Sequence, residues 1–109
     1  MTYTEVADMV ESIGLDFAYY QFSEAAGQAP PFILFYYPES NDFVADGKNY
    51  CKKEQLIIEL YTDEKDFEKE AAVEAVLEAN GFVYTRAEQY IETERMYEVI
   101  FSTEVIING

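Results

Sequence analysis

Apolar residues along this chain recur in two different rhythms. Near the start, Val6, Met9, Val10 and Ile13 are spaced i, i+3, i+4 and i+7, one face of a helix of about three turns that Gly14 ends. Thr2 stands three residues before Glu5, the spacing of a reciprocal cap in which each side chain reaches the other residue's backbone N–H. Thr4 is the alternative cap. The rhythm then shortens to that of strands. Phe17 to Phe22 is brief and aromatic, and Ser23 to Pro31 breaks it with Gly27, Pro30 and Pro31. Phe32 to Tyr37 has no polar residue on either face, which predicts a central strand that Pro38 stops by removing a ladder donor. In Leu56 to Tyr61 the even positions Leu56, Ile58 and Leu60 point to one side and Ile57, Glu59 and Tyr61 to the other. These two runs read as neighbouring strands. Their connection is too long for a minimal hairpin, so the segment pairs a rigid scaffold with a projecting arm.

The second half reads as a helix followed by two strands, with no internal repeat. Thr62 or Asp63 can cap a second helix with an acidic first turn, stopped by Asn80-Gly81. Ala72, Val73, Val76 and Leu77 form its expected apolar stripe, joined by Phe67. A strand is predicted from Phe82, a polar turn near Glu92-Thr93-Glu94, and a long strand from Met96 to Ile107. In the last strand Tyr97, Val99, Phe101, Thr103 and Val105 share one side, with Glu98, Ser102 and Glu104 on the other. The pattern predicts one domain over residues 1–109 of the α+β class. Two helices pack on one face of an antiparallel or mixed sheet of four to five strands, in the order α-β-β-β-α-β-β.

Charge narrows the partners. The 22 acidic against 7 basic residues give a formal charge of -15, which repels nucleic-acid phosphates and acidic lipid surfaces. Every strong apolar run is interrupted by charge within about eight positions, short of the roughly 20 residues that cross a bilayer. A soluble protein is expected. Cys51 is the single cysteine and no charged-then-apolar leader opens the chain, so a cytosolic location is expected as well.

The residues give enzymatic chemistry little to work with. The chain has no histidine, the commonest general base and a principal zinc ligand, and its five glycines fall in no phosphate-binding pattern. Asp63, Glu64, Asp66, Glu68 and Glu70 lack the loop of a dedicated calcium site and read as a solvated helix start. Cys51, without a histidine to activate it, reads as a half-buried strand residue. No catalytic residue, cofactor or metal site is expected. The ten tyrosines fit either core or interface, where a ring buries area and its hydroxyl stays wet.

The arm from Glu39 to Asn49 sets Phe43 and Val44 among polar residues, with Asp46-Gly47 suited to a turn of positive φ. Two readings are open: the apolar pair folds back on its own sheet, or it docks on a neighbouring subunit. The second makes Phe43, Val44, Asp46, Gly47, Lys48 and Tyr50 a candidate subunit interface.

Ala29-Pro30-Pro31-Phe32 before a strand, Phe43-x-Ala45-Asp46-Gly47 in the arm, Glu59-Leu60-Tyr61-Thr62 before the helix and Tyr90-Ile91-Glu92 before the last strand carry a resemblance. From Ser12-Ile13-Gly14-Leu15 to Val105 the chain resembles the tail terminators, small tail-completion proteins of long-tailed phages and prophages of Gram-positive bacteria. The resemblance implies an α+β virion protein with no catalytic residues. It implies a homo-oligomeric ring, usually of six, that caps the head-proximal end of the tail tube and helps head–tail joining. The implied partners are other copies of the chain, the tail-tube protein and head–tail connector proteins, met in the host cytoplasm during assembly and in the virion tail afterwards. Carboxylates lining such a ring would let DNA pass without sticking, within a screening length of about 10 Å. The competing readings are an acidic DNA mimic that occludes a DNA-binding enzyme, which needs carboxylates spaced about 7 Å apart like phosphates, and a small cytosolic protein-binding module.

Overall fold

A computed structural model describes residues 1–22, 28–45 and 47–108, with the backbone alone for residues 45 and 48–50. Helix α1 (Tyr3–Glu11) is followed by β1 (Asp16–Tyr19), β2 (Phe32–Tyr36), β3 (Phe43–Ala45) and β4 (Lys48–Thr62). Helix α2 (Phe67–Ala79), β5 (Tyr84–Ile91) and β6 (Met96–Ile107) complete the chain. This is the expected α+β class, with a six-stranded mixed sheet in place of four to five strands. The arm accounts for the difference in count, because it forms β3 and extends β4. The sheet order is β1-β2-β4-β6-β5, with β3 on β4. Among the described strands only β1 and β2 run parallel; the other pairs are antiparallel.

Local chemistry explains the element ends. Thr2 caps α1 in the full reciprocal arrangement, Glu5 N–H to Thr2 Oγ1 at 3.1 Å and Thr2 N–H to Glu5 Oε1 at 3.0 Å. β1 is shorter than the run Phe17 to Phe22, since Tyr20 takes φ 64°, a left-handed conformation that turns the chain out of the strand. The expected break at Ser23 to Gly27 lies outside the described residues. The cap of α2 is Asp66, not Thr62 or Asp63: its carboxylate accepts from Lys69 N–H at 3.1 Å. Thr62 stays in β4 and is buried. The stop at Asn80-Gly81 is where expected, with Gly81 at φ 79°. β5 opens at Tyr84, two residues after Phe82, whose N–H bonds back to Leu77 C=O at 3.0 Å and closes the helix end.

Both helices cover one face of the sheet. Val6, Met9 and Val10 of α1 and Val73 and Leu77 of α2 form one cluster with Ile33, Phe35, Leu56, Ile58, Leu60, Val99, Phe101 and Val105. The alternation of β4 and β6 thus points where the pattern placed it, and Leu60↔Val99 and Ile58↔Phe101 are cross-strand partners. The expected stripe of α2 needs correction. Ala72 is exposed, and Phe67 is 69% exposed with Lys65 Nζ 4.7 Å from its ring centre. The inward line is Glu70, Val73 and Leu77, spaced i, i+3 and i+7. Glu70 is only 2% exposed and pairs with Lys65 at 2.5 Å and Arg86 at 3.2 Å, so it is no solvated helix-start residue. Among the described residues no helix is long and apolar enough to cross a membrane.

The corrected face of α2 makes a contrast that equilibrium denaturation can read. Leu77→Ala is expected to cost about 2–5 kcal/mol, and Phe67→Ala less than about 1 kcal/mol, the value of an exposed cation–π contact.

Candidate functional site

β4 runs on past the main sheet. From Lys52 to Thr62 it pairs with β6 in unbroken register, while its first residues pair only with β3 among the described strands. The root of the resulting hairpin is tied down on the side away from β6 by Asn41 N–H to Lys53 C=O and Gln55 N–H to Glu39 C=O, both 2.9 Å. Asp42 Oδ1 accepts from Lys53 N–H, also at 2.9 Å. Gly47, φ 73°, lies at the tip. Phe43 and Val44 are 57% and 58% exposed, so the apolar pair does not fold back onto its own sheet. A register shift between them marks a bulge on β4 between Asn49 and Cys51, which pair with Val44 and Phe43 respectively. Cys51 itself is the half-buried, free strand cysteine expected. Of the six candidate interface residues, Phe43, Val44 and Gly47 are thus brought together on the arm. Asp46 lies outside the described residues, as do the side chains of Lys48 and Tyr50.

On the helix side of the arm's root lies an aromatic groove of about 410 Å³ lined by Tyr3, Tyr19, Phe35, Tyr37 and Glu54. Its lining comes from the start of α1, the end of β1, β2 with the residue that follows it, and β4. Tyr3 meets Tyr37 edge-on with ring centres 5.3 Å apart, and Tyr19 meets Phe35 at 5.4 Å. Lys52 Nζ stands 5.4 Å from the Tyr3 ring centre. Tyr37 Oη is buried with no hydrogen-bond partner among the described residues, an arrangement that costs about 1–3 kcal/mol. Burial, with Tyr19 and Tyr3 beside it, pushes the Tyr37 phenol up to about 12.

Among the described residues the opposite face of the sheet carries no helix and solves its exposure differently. Glu59 of β4 and Glu98 of β6 are only 9% and 5% exposed. Tyr36 Oη donates to Glu59 Oε2 at 2.8 Å, and Tyr61 Oη stands 2.9 Å from Glu59 Oε1 and 2.6 Å from Glu98 Oε2. Gln89 Nε2 donates to Glu98 Oε1. A phenol has one proton, so Tyr61 can donate to only one of its two carboxyl neighbours. Burial raises the Glu59 carboxyl above its ordinary range and the Glu98 charge adds to this, against the opposing pull of the Tyr36 and Tyr61 hydroxyls. Phe32 stacks on Tyr61 at 4.8 Å and Tyr20 on Tyr36 at 4.6 Å, which shields the network. Sequence reasoning assigned neither carboxylate an inward role. The available signal was Glu59 standing alone within Leu56 to Tyr61.

Compared with known proteins, the chain matches no family model and no curated protein. Residues and geometry therefore carry the functional argument.

The network sets a pH dependence. Because Glu59 binds its proton more tightly when folded, its contribution to stability is full below the ordinary carboxylate range and is lost as pH rises through the raised value. Glu59→Gln, which keeps a donor and an acceptor without titrating, is expected to flatten this loss. Thermal melts from about pH 4 to pH 8 should show wild type falling relative to the variant as pH rises, with the gap narrowest at the acid end.

Proposed function

We propose that this chain is a structural subunit of a phage or prophage tail, a tail terminator or tail-completion protein. Its copies close into a ring, of the six-membered kind the resemblance implies, at the head-proximal end of the tail tube. There the ring meets the tube protein on one side and head–tail connector proteins on the other. The observation that carries this reading is the hairpin of β3 and β4, held out by the overrun of β4 with Phe43 and Val44 more than half exposed. An apolar pair on a braced arm is a contact surface that a lone subunit leaves unused. The mixed sheet and the two helices on one face supply the rigid body that such an arm needs.

The acidic surface suits a ring through which DNA passes, since carboxylates repel phosphates at short range. A DNA mimic is less well supported. Glu59, Glu70 and Glu98 are buried in ion pairs and phenol contacts, so they cannot contribute to an exposed array of phosphate-like charges.

Light scattering on the purified chain, alone and with the tail-tube protein of the same genome, tests the reading. A multiple of the monomer mass under at least one condition is expected, and a monomer under both contradicts it. Phe43→Ser is expected to leave the melting free energy within about 0.5 kcal/mol of wild type, as for an exposed position, while weakening assembly. A large loss of monomer stability would place Phe43 in its own core instead.

A further inference from the structure

We infer that the free edge of β5 docks on β5 of a second copy of this chain, the two strands running antiparallel about a two-fold axis beside Ala87. The contact goes beyond the tail reading and does not need it. A two-fold pair is isologous, so it is distinct from the head-to-tail contacts that close a ring.

The first observation is the edge itself. β5 ends the sheet, and its side away from β6 pairs with no described strand. Exposed edges are ordinarily blunted by shortness, a bulge, proline or lysine. β1 and β3 follow that rule: β1 has four residues and runs out into left-handed Tyr20, and β3 has three residues and a shift of register. β5 has eight residues in unbroken register with β6 and holds neither proline nor lysine. Thr85 to Tyr90 are exposed whichever face they point to, so α2 leaves the approach of another strand open.

The second is register. A two-fold axis normal to the sheet keeps each face of a strand on the same side, so even-numbered residues meet even and odd meet odd. Arg86 and Glu88 share the helix face, beside Phe101 and Val99 of β6, and carry opposite charges two positions apart. With the axis beside Ala87, Arg86 of each copy faces Glu88 of the other and Tyr84 faces Tyr90. On the other face of the sheet Thr85 faces Gln89. An axis beside Arg86 or Glu88 would instead set that residue against its own like charge, which is unfavourable. Charge thus selects one register for a second β5.

The third is availability. Arg86 reaches Glu70 at 3.2 Å and Glu74 at 3.5 Å, and Glu88 pairs with Lys65, yet both side chains remain 44% exposed. A guanidinium has five N–H donors and a carboxylate about four lone-pair sites, so each keeps capacity for a neighbour. Tyr90 is 48% exposed and held edge-on to Tyr97 at 4.9 Å, which sets its ring for an aromatic cross-strand partner. Residues 82–91 carry Arg86 and Glu88 as their only charges, a net of zero, whereas the whole chain carries -15. Two acidic copies therefore meet along this strand without setting like charges together.

Disulfide cross-linking tests the register on the full chain. In a Cys51→Ser background, Ala87→Cys is oxidised mildly over a wide range of protein concentration, and Thr85→Cys is mixed with Gln89→Cys. Thr85→Cys alone and Gln89→Cys alone are the controls, because each lies four positions from its own copy in this register, roughly 13 Å along the strand and beyond the span of a disulfide. Thermal melts first establish that every variant is folded. An 87–87 bond and an 85–89 bond, each several-fold above the 85–85 and 89–89 yields, are expected. Yields no higher than the controls at both positions overturn the inference, as does a predominance of 85–85 or 89–89 bonds, which would mean another register. The tail reading fails separately: both bonds with bare tail tubes keep this contact and refute the tail, and capped tubes with neither bond keep the tail and refute this contact.

Discussion

The ladder between β4 and β6 is the constraint on which the rest of the structure depends. It runs from Lys52↔Ile107 to Thr62↔Tyr97 without a shift of register. Because side chains alternate along a strand, that register fixes which face every residue of both strands meets. Leu56, Ile58 and Leu60 are thereby aligned with Val99, Phe101 and Thr103 beneath the helices, and Glu59 and Tyr61 with Ile100 and Glu98 on the other face. β2 and β5 then add to the two outer edges. Where β6 ends, β4 continues with β3 alone, and the arm inherits its direction from a strand anchored in the core. A slip of one residue would turn the core outward and re-aim the arm together.

An acidic chain of this size must also place its carboxylates where they do not oppose one another. Several are used locally. Glu5 and Asp66 hold helix N-termini, and hydrogen bonds to Thr2 and Lys69 respectively draw both carboxyls below their ordinary values. Glu70 sits inside α2's buried line and is matched by Lys65 and Arg86, while Glu74 takes the Tyr84 hydroxyl at 2.8 Å. The Tyr84 phenol is in turn pushed up to about 12 by that carboxylate. On the uncovered face, tyrosines perform for Glu59 and Glu98 the task that basic residues perform for Glu70. With so few cations in the chain, phenol donors are the available substitute.

Much of this was legible in the residues, and the parts that were not share a cause. The capping box at Thr2 and Glu5, the stop at Asn80-Gly81, and β6 from Met96 to Ile107 are local signals read over a few positions, and the structure has them as read. The arm was legible as a projection but not as strands, because its alternation is polar and its pairing begins only beyond the sheet. Phe67 and Ala72 were misplaced in α2 because alanines surround the helix axis and blur the stripe; the buried line runs through a charged residue, Glu70, that hydrophobic patterning cannot see. Glu59 and Glu98 stayed hidden for the same reason, and Glu98 meets Tyr61 from 37 positions away. The groove, drawn from α1, β1, β2 and β4, has no sequence signature at all.

The central claim is that this rigid sheet with its braced arm completes a tail tube. Electron micrographs of tail tubes polymerised from the tail-tube protein, with and without this chain, test it most directly. The account predicts added ring-shaped density at one tube end, and tubes whose length no longer grows once it is present. Bare ends with the protein in excess, or decoration along the tube sides, would contradict it.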